Sequence, residues 1–137
     1  MRVRRTPNPP RRGVQAVEAA IVLPVVMMLI LGTFSTAMGV YYYQLVATLA
    51  REGARWASVH GPTYQAEHPP PTPPTSQDVY NNAILPMAVG LTPAQLTCVL
   101  TMTSNTATVK VTYQWTPDFF ITGPLNLTST SVMPISY

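Results

Sequence analysis

His60, His68, Cys98 and five carboxylates (Glu18, Glu52, Glu67, Asp78 and Asp118) are the groups of this chain that could move a proton, attack a carbon or hold a metal. Acid–base catalysis needs such groups converging on a substrate, and a structural metal site needs about four ligands at short, regular spacing. The spacing here serves neither. The histidines stand eight residues apart across Pro62, the acids are scattered, and the one cysteine has no second thiol for an internal disulfide or a Cys-rich cluster. Arg51 and Arg55 lie one helical turn apart beside Glu52, but a phosphate site wants a glycine-rich loop before a helix, and Gly53 stands inside one. They read as a solvated or locally paired face. No catalytic residue, cofactor or metal is expected, and the chain reads as no enzyme.

Only 9% of the 137 residues are charged and 47% are apolar, against about 25% charged in a soluble globular domain. Arg2, Arg4, Arg5, Arg11 and Arg12 put five positive charges ahead of Gly13, and from Ala19 to Ala50 there is none of either sign. Downstream, Arg51, Arg55 and Lys110 face Glu52, Glu67, Asp78 and Asp118. The net charge of +3 is therefore an N-terminal feature. Nucleic-acid binding needs basic residues clustered on a folded face, so no nucleic-acid partner is expected.

The residues just named must be positioned by a long helix. From Ala19 to Val40, every residue is apolar, Gly or Pro except Thr33, Ser35 and Thr36. Twenty-two helical residues cover about 33 Å, enough to cross the hydrocarbon layer. The core is longer than a signal peptide's, and residues 38–42 make no small-residue cleavage site. Arginines on the N-terminal flank keep that end inside, which places everything after Val40 outside. Tyr41, Tyr42 and Tyr43 fall where an interfacial aromatic belt belongs. Glu18 is the anomaly, because a carboxylate bordering an apolar run is costly unless it is paired or snorkels to the headgroups.

Arg11-Arg12-Gly13 followed by Val14-Gln15-Ala16-Val17-Glu18 resembles the leader of type IV pilin-like proteins. In that family a prepilin peptidase cuts after the glycine, and the fifth mature residue is glutamate. The resemblance implies cleavage between Gly13 and Val14, with Glu18 neutralising the new α-amine during assembly. A second stretch narrows the family. Glu18-Ala-Ala-Ile-Val-Leu-Pro24, then Ala50-Arg51-Glu52-Gly53-Ala54-Arg55-Trp56-Ala57, resembles the TadE-like proteins, pseudopilins or minor pilins of tight-adherence (Tad/Flp) pili. Ala19 departs from the aromatic common after the glutamate in that family. The similarity covers residues 11–61 and is only architectural beyond. It implies as partners a prepilin peptidase, other pilin or pseudopilin subunits, the inner-membrane assembly platform and the lipid bilayer. It also implies a single-pass place in a bacterial cytoplasmic membrane, N-terminus in, serving a surface pilus.

The expected architecture is α+β. Residues 1–13 form the leader and 14–61 a helix bent at Pro24, membrane-spanning in its first half and closed by Gly61-Pro62. Residues 62–75, with Pro69-Pro70-Pro71-Thr72-Pro73-Pro74, form a linker expected in the polyproline II conformation. Residues 76–137 form a small extracytoplasmic head. In it Ser76 caps a short helix limited by Pro86, and three antiparallel strands follow. The strands are Leu96–Thr103, Thr108–Trp115 and Leu125–Val132, with Cys98 a small hydrophobe on an inward face. Leu45, Leu49, Gly53, Trp56 and His60 form a stripe that meets this head or packs against other pilin helices in a bundle, and Gly32, Ser35, Thr36 and Gly39 a small-residue surface for close helix approach. Phe119-Phe120-Ile121 is either core or an exposed contact. Two rival functions are a bitopic membrane protein with an extracytoplasmic ligand-binding head, and a pseudopilin of a type II-like secretion system. The second fits the Ala50–Ala57 motif less well.

Overall fold

With Pro24 the only breaker in its interior, the apolar run and the segment after it form one helix. α1 spans Arg12–Val59, 48 residues, or about 72 Å at 1.5 Å per residue. The structure, a computed structural model, describes residues 12–68, 72–117 and 123–135. The fold is α+β. After α1 come α2 (Pro62–Glu67), α3 (Ser76–Val79), a π-helical turn at Tyr80–Ile84 and a 3-10 turn at Leu85–Met87. The strands are β1 (Leu96–Met102), β2 (Thr106–Trp115) and β3 (Leu125–Pro134), in an antiparallel sheet of order β1-β2-β3.

Three local expectations need correction. Gly61-Pro62 closes α1 as expected, but no extended linker starts there: Gly61, with φ −73°, opens α2 with Pro62 in the first turn. A proline there costs no helical hydrogen bond, because the first four N–H groups have no intrahelical acceptor. The first six residues of the expected polyproline linker are therefore helical. Residues 72–75 carry no regular structure. The cap of α3 is Thr75, not Ser76. The Thr75 hydroxyl accepts from the Asp78 N–H (3.3 Å), while Asp78 Oδ2 accepts from the Thr75 N–H (2.8 Å), a reciprocal box. The Asp78 carboxyl is held below the usual carboxylate range by the Thr75 side chain, then by the Thr75 backbone N–H. Ser76 instead accepts from the Leu100 N–H at 2.9 Å, tying α3 to β1. Finally, Pro86 does not simply close an α-helix. Its ring would meet the carbonyl of Asn82 four residues back, and the chain widens there, the Leu85 N–H reaching Tyr80 O.

The head packs on the outer half of α1. Val46, Ala50, Ala54 and Ala57 are fully buried there and Leu49 nearly so, against Val79, Ile84, Val109 and Val111. The buried stripe is rotated from the expected one. Leu49 and Gly53 lie in its middle, while Leu45, Trp56 and His60 are half-buried at its margin. Small residues at 50, 53, 54 and 57 let the sheet approach closely. A methyl on Gly53 would stand 3.1 Å from Val109 Cγ1 and 3.2 Å from Val79 Cγ1. Each fully buried Val, Leu or Ile contributes roughly 1.5–3 kcal/mol, whereas an exposed ion pair contributes about 0–1 kcal/mol. The aliphatic seam holds the head in place.

The strands follow their alternation. Leu96, Val109, Val111 and Tyr113 are buried and Cys98, Leu100 and Met102 half-buried. Their neighbours Thr97, Val99, Thr101, Lys110 and Gln114 are exposed. Cys98 pairs with Val111 and Thr112 with Thr128 across the sheet. β3 runs beside α1 in the same direction, from Leu127 near Gly39 to Ile135 packed on Gly61.

Candidate functional site

Gly13 and Val14 occupy the first turn of α1, and both are exposed. Glu18 follows Val14 by four residues and so stands above it on one face. Helical side chains lean toward the N-terminus, which aims the Glu18 carboxylate back at the turn holding Val14. It is exposed, and among the described residues nothing hydrogen-bonds to it. Pro24 lies inside α1 and leaves the carbonyl of Ala20 without its N–H donor.

From Gly13 to Ile30 every side chain is exposed. α1 is long and apolar enough to cross a membrane, and its apolar segment is uncovered by the rest of the molecule. Two of the three polar residues inside that run satisfy themselves. Thr33 Oγ1 donates to Leu29 O at 2.8 Å and Thr36 Oγ1 to Gly32 O at 2.9 Å, so neither hydroxyl enters an apolar surround with an unmet donor.

Arg51, Glu52, Gly53 and Arg55 are not gathered into one site. Arg51 and Arg55 face outward, Glu52 is half-buried, and Gly53 faces the core. The Arg51 guanidinium donates weakly to Thr48 Oγ1 at 3.4 Å. In this run glycine serves packing and the arginines remain on the surface.

Tyr41 and Tyr43 are exposed as a belt requires, but Tyr42 turns into the head, its ring centroid 5.7 Å from Tyr113 and 5.8 Å from Trp115. Gly39 is not free for a neighbouring helix either. Trp115 of the same chain lies over it, with Cζ3 2.9 Å from where a Cβ would stand.

At the opposite end of the head, Trp56, His60, Tyr64 and His68 form a ladder of rings. Successive centroids are 3.8, 4.5 and 4.1 Å apart. Each histidine Nδ1 meets the carbonyl four residues back, at Trp56 (2.8 Å) and Tyr64 (3.0 Å). Reading the sequence by pairs missed this ladder, although the four-residue spacing of the rings was its signal. The Trp115–Gly39 contact, by contrast, joins residues far apart in sequence and left no such signal.

Cys98 is a free, half-buried thiol whose pKa burial pushes up to about 11. Its thiolate is scarce at pH 8, so alkylation by iodoacetamide should run roughly tenfold or more slower than after unfolding in guanidinium. Equal rates in the two states would contradict the packing assigned to β1. The arginines up to Arg11 and the Phe119-Phe120-Ile121 segment lie outside the described residues.

Residues 13–55 match the family model described as TadE-like protein. The match covers most of α1 and stops before the head. No curated protein and no solved structure matches the chain at a significant level.

Proposed function

Taking the TadE-like character of α1 as the premise, we propose that the chain is a membrane-anchored pseudopilin or minor pilin. In this reading a prepilin peptidase cuts it between Gly13 and Val14, and it then serves assembly of a tight-adherence pilus. The observation that carries the reading is the placement of Glu18 one turn beyond Val14, at the head of an exposed helix that is TadE-like. Cleavage at that junction creates a cationic amine beside the membrane. A carboxylate on the same face neutralises it, on its own chain or a neighbour's, and lowers the desolvation cost of both. The chain is the substrate of the peptidase and carries no chemistry of its own. Its partners are the peptidase, other pilin subunits and the inner-membrane assembly platform. The head then stands on the extracytoplasmic face, as the arginine asymmetry favours.

Glu18→Ala tests the role of the carboxylate. Its amine partner exists only after cleavage, so the variant should insert and be cut normally yet fail to co-purify with other pilus components. Glu18→Asp should retain part of that association. If the alanine variant co-purifies as wild type does, Glu18 is an interfacial residue and no more.

A further inference from the structure

We propose that the base of the head is itself a lipid-facing surface, with a groove that takes the acyl chain of an outer-leaflet phospholipid. The inference rests on the membrane-anchored reading and goes beyond it. The groove, of about 390 Å³, runs between α1 and the membrane-proximal end of the sheet, lined by Ser35, Thr36, Gly39, Val40, Tyr43, Trp115 and Leu127. Its position follows from length. The apolar run Ala19–Val40 spans about 33 Å as a helix, close to the full hydrocarbon thickness of about 30 Å. Gly39 therefore lies at the outer boundary of the hydrocarbon. Trp115 packs directly on Gly39, which brings the last residue of β2 to the same depth. The head is seated on the bilayer and not held clear of it.

The side chains suit that depth. Trp and Tyr favour the boundary between tails and headgroups, where an apolar ring and a polar tip are both satisfied. The Trp115 ring is half-buried, and its indole N–H has no acceptor among the described residues. It is free to meet a lipid ester or phosphate oxygen. Tyr43, four residues beyond Gly39 on the same face of α1, is exposed with its ring at headgroup level. The groove continues the lipid-facing surface of α1: the Thr36 hydroxyl is turned to Gly32 O, and Ser35 adds only one small hydroxyl to the wall. An acyl chain already lying along Val40 needs only to extend to reach Leu127.

The chain carries two tryptophans, Trp56 and Trp115, which makes the test direct. The full chain would be reconstituted in phosphatidylcholine vesicles whose acyl chains are brominated. One sample carries Trp56→Phe, leaving Trp115 to report, and the other Trp115→Phe, leaving Trp56. Trp56 lies 17 residues beyond Gly39, about 25 Å farther along the helix. Trp115 should lose at least about half of its emission to the brominated tails, as an interfacial ring does, and Trp56 should lose almost none. The quenching should be unchanged when the lipid-to-protein ratio is raised tenfold. Vesicle flotation separates the two levels of the claim. A chain that floats, yet shows equal quenching of the two tryptophans, overturns the groove and spares the anchor. Quenching that is weak at the lower ratio and appears only on dilution in lipid assigns the groove to a second copy and also overturns the proposal. A chain that fails to float overturns both.

Discussion

Gly53→Leu should unfold the head from α1 while leaving the helix inserted. A Cβ at Gly53 already stands 3.1 and 3.2 Å from two buried valine methyls, and leucine adds three more carbons in the same direction. Overpacking a core costs about 1–3 kcal/mol and more where nothing can yield. Here the neighbours Val79 and Val109 are stiff at χ1 and fully buried. For a head this small, about 3 kcal/mol lowers the melting temperature by more than 10 °C. The measurement is the near-ultraviolet circular dichroism melt in detergent, where the tyrosines and Trp115 report tertiary packing. Gly32→Leu is the control, since nothing stands within 4 Å of a Cβ there, and it should melt as wild type. A Gly53→Leu protein melting within 2 °C of wild type would mean that the sheet does not pack on α1 at this point.

The same geometry explains what could be read from the sequence. β2 was legible because Val109, Val111 and Tyr113 alternate with polar residues, and one buried face forces that register. α1 was legible because no charge and one proline interrupt it over a run long and apolar enough to cross a membrane. The rotation of its buried stripe was not, since Leu45 and Trp56 are as apolar as Val46. Only the sheet, approaching over Ala50, Gly53, Ala54 and Ala57, decides which of them is covered. The α2 helix is obscured because the prolines of 62–74 together carry the signature of an extended polyproline segment. Pro62 sits alone before a run of helix-compatible residues, and a proline at that position starts a helix as readily as it ends one. The Thr75 cap was one residue from the expected Ser76, and the choice was made by the Leu100 N–H claiming the serine hydroxyl.

At the candidate site the pattern is reversed. Val14, Glu18 and their spacing are sequence properties that any helix would convert into a shared face. Trp115 at Gly39 belongs to tertiary structure alone.

The second large effect concerns Gly13→Arg, which should abolish processing altogether. Gly13 and Val14 lie in the first turn of α1, so a peptidase must unwind that turn to reach the bond between them. Glycine makes this easy, being about 1 kcal/mol weaker than alanine in a helix and offering no side chain to a close-fitting active site. Arginine removes both advantages. Co-expressed with a cognate prepilin peptidase, wild type should lose five of its eight basic residues with the leader, while the variant keeps them all. Insertion of the variant should be unaffected, since the charges that orient α1 are retained.

The most direct test of the account is the N-terminal mass of the protein purified from membranes of its native host. The account predicts a mature chain whose first residue is Val14, with Glu18 fifth and Met1–Gly13 absent. A chain that retains Met1–Gly13 in a host with an active prepilin peptidase would contradict it.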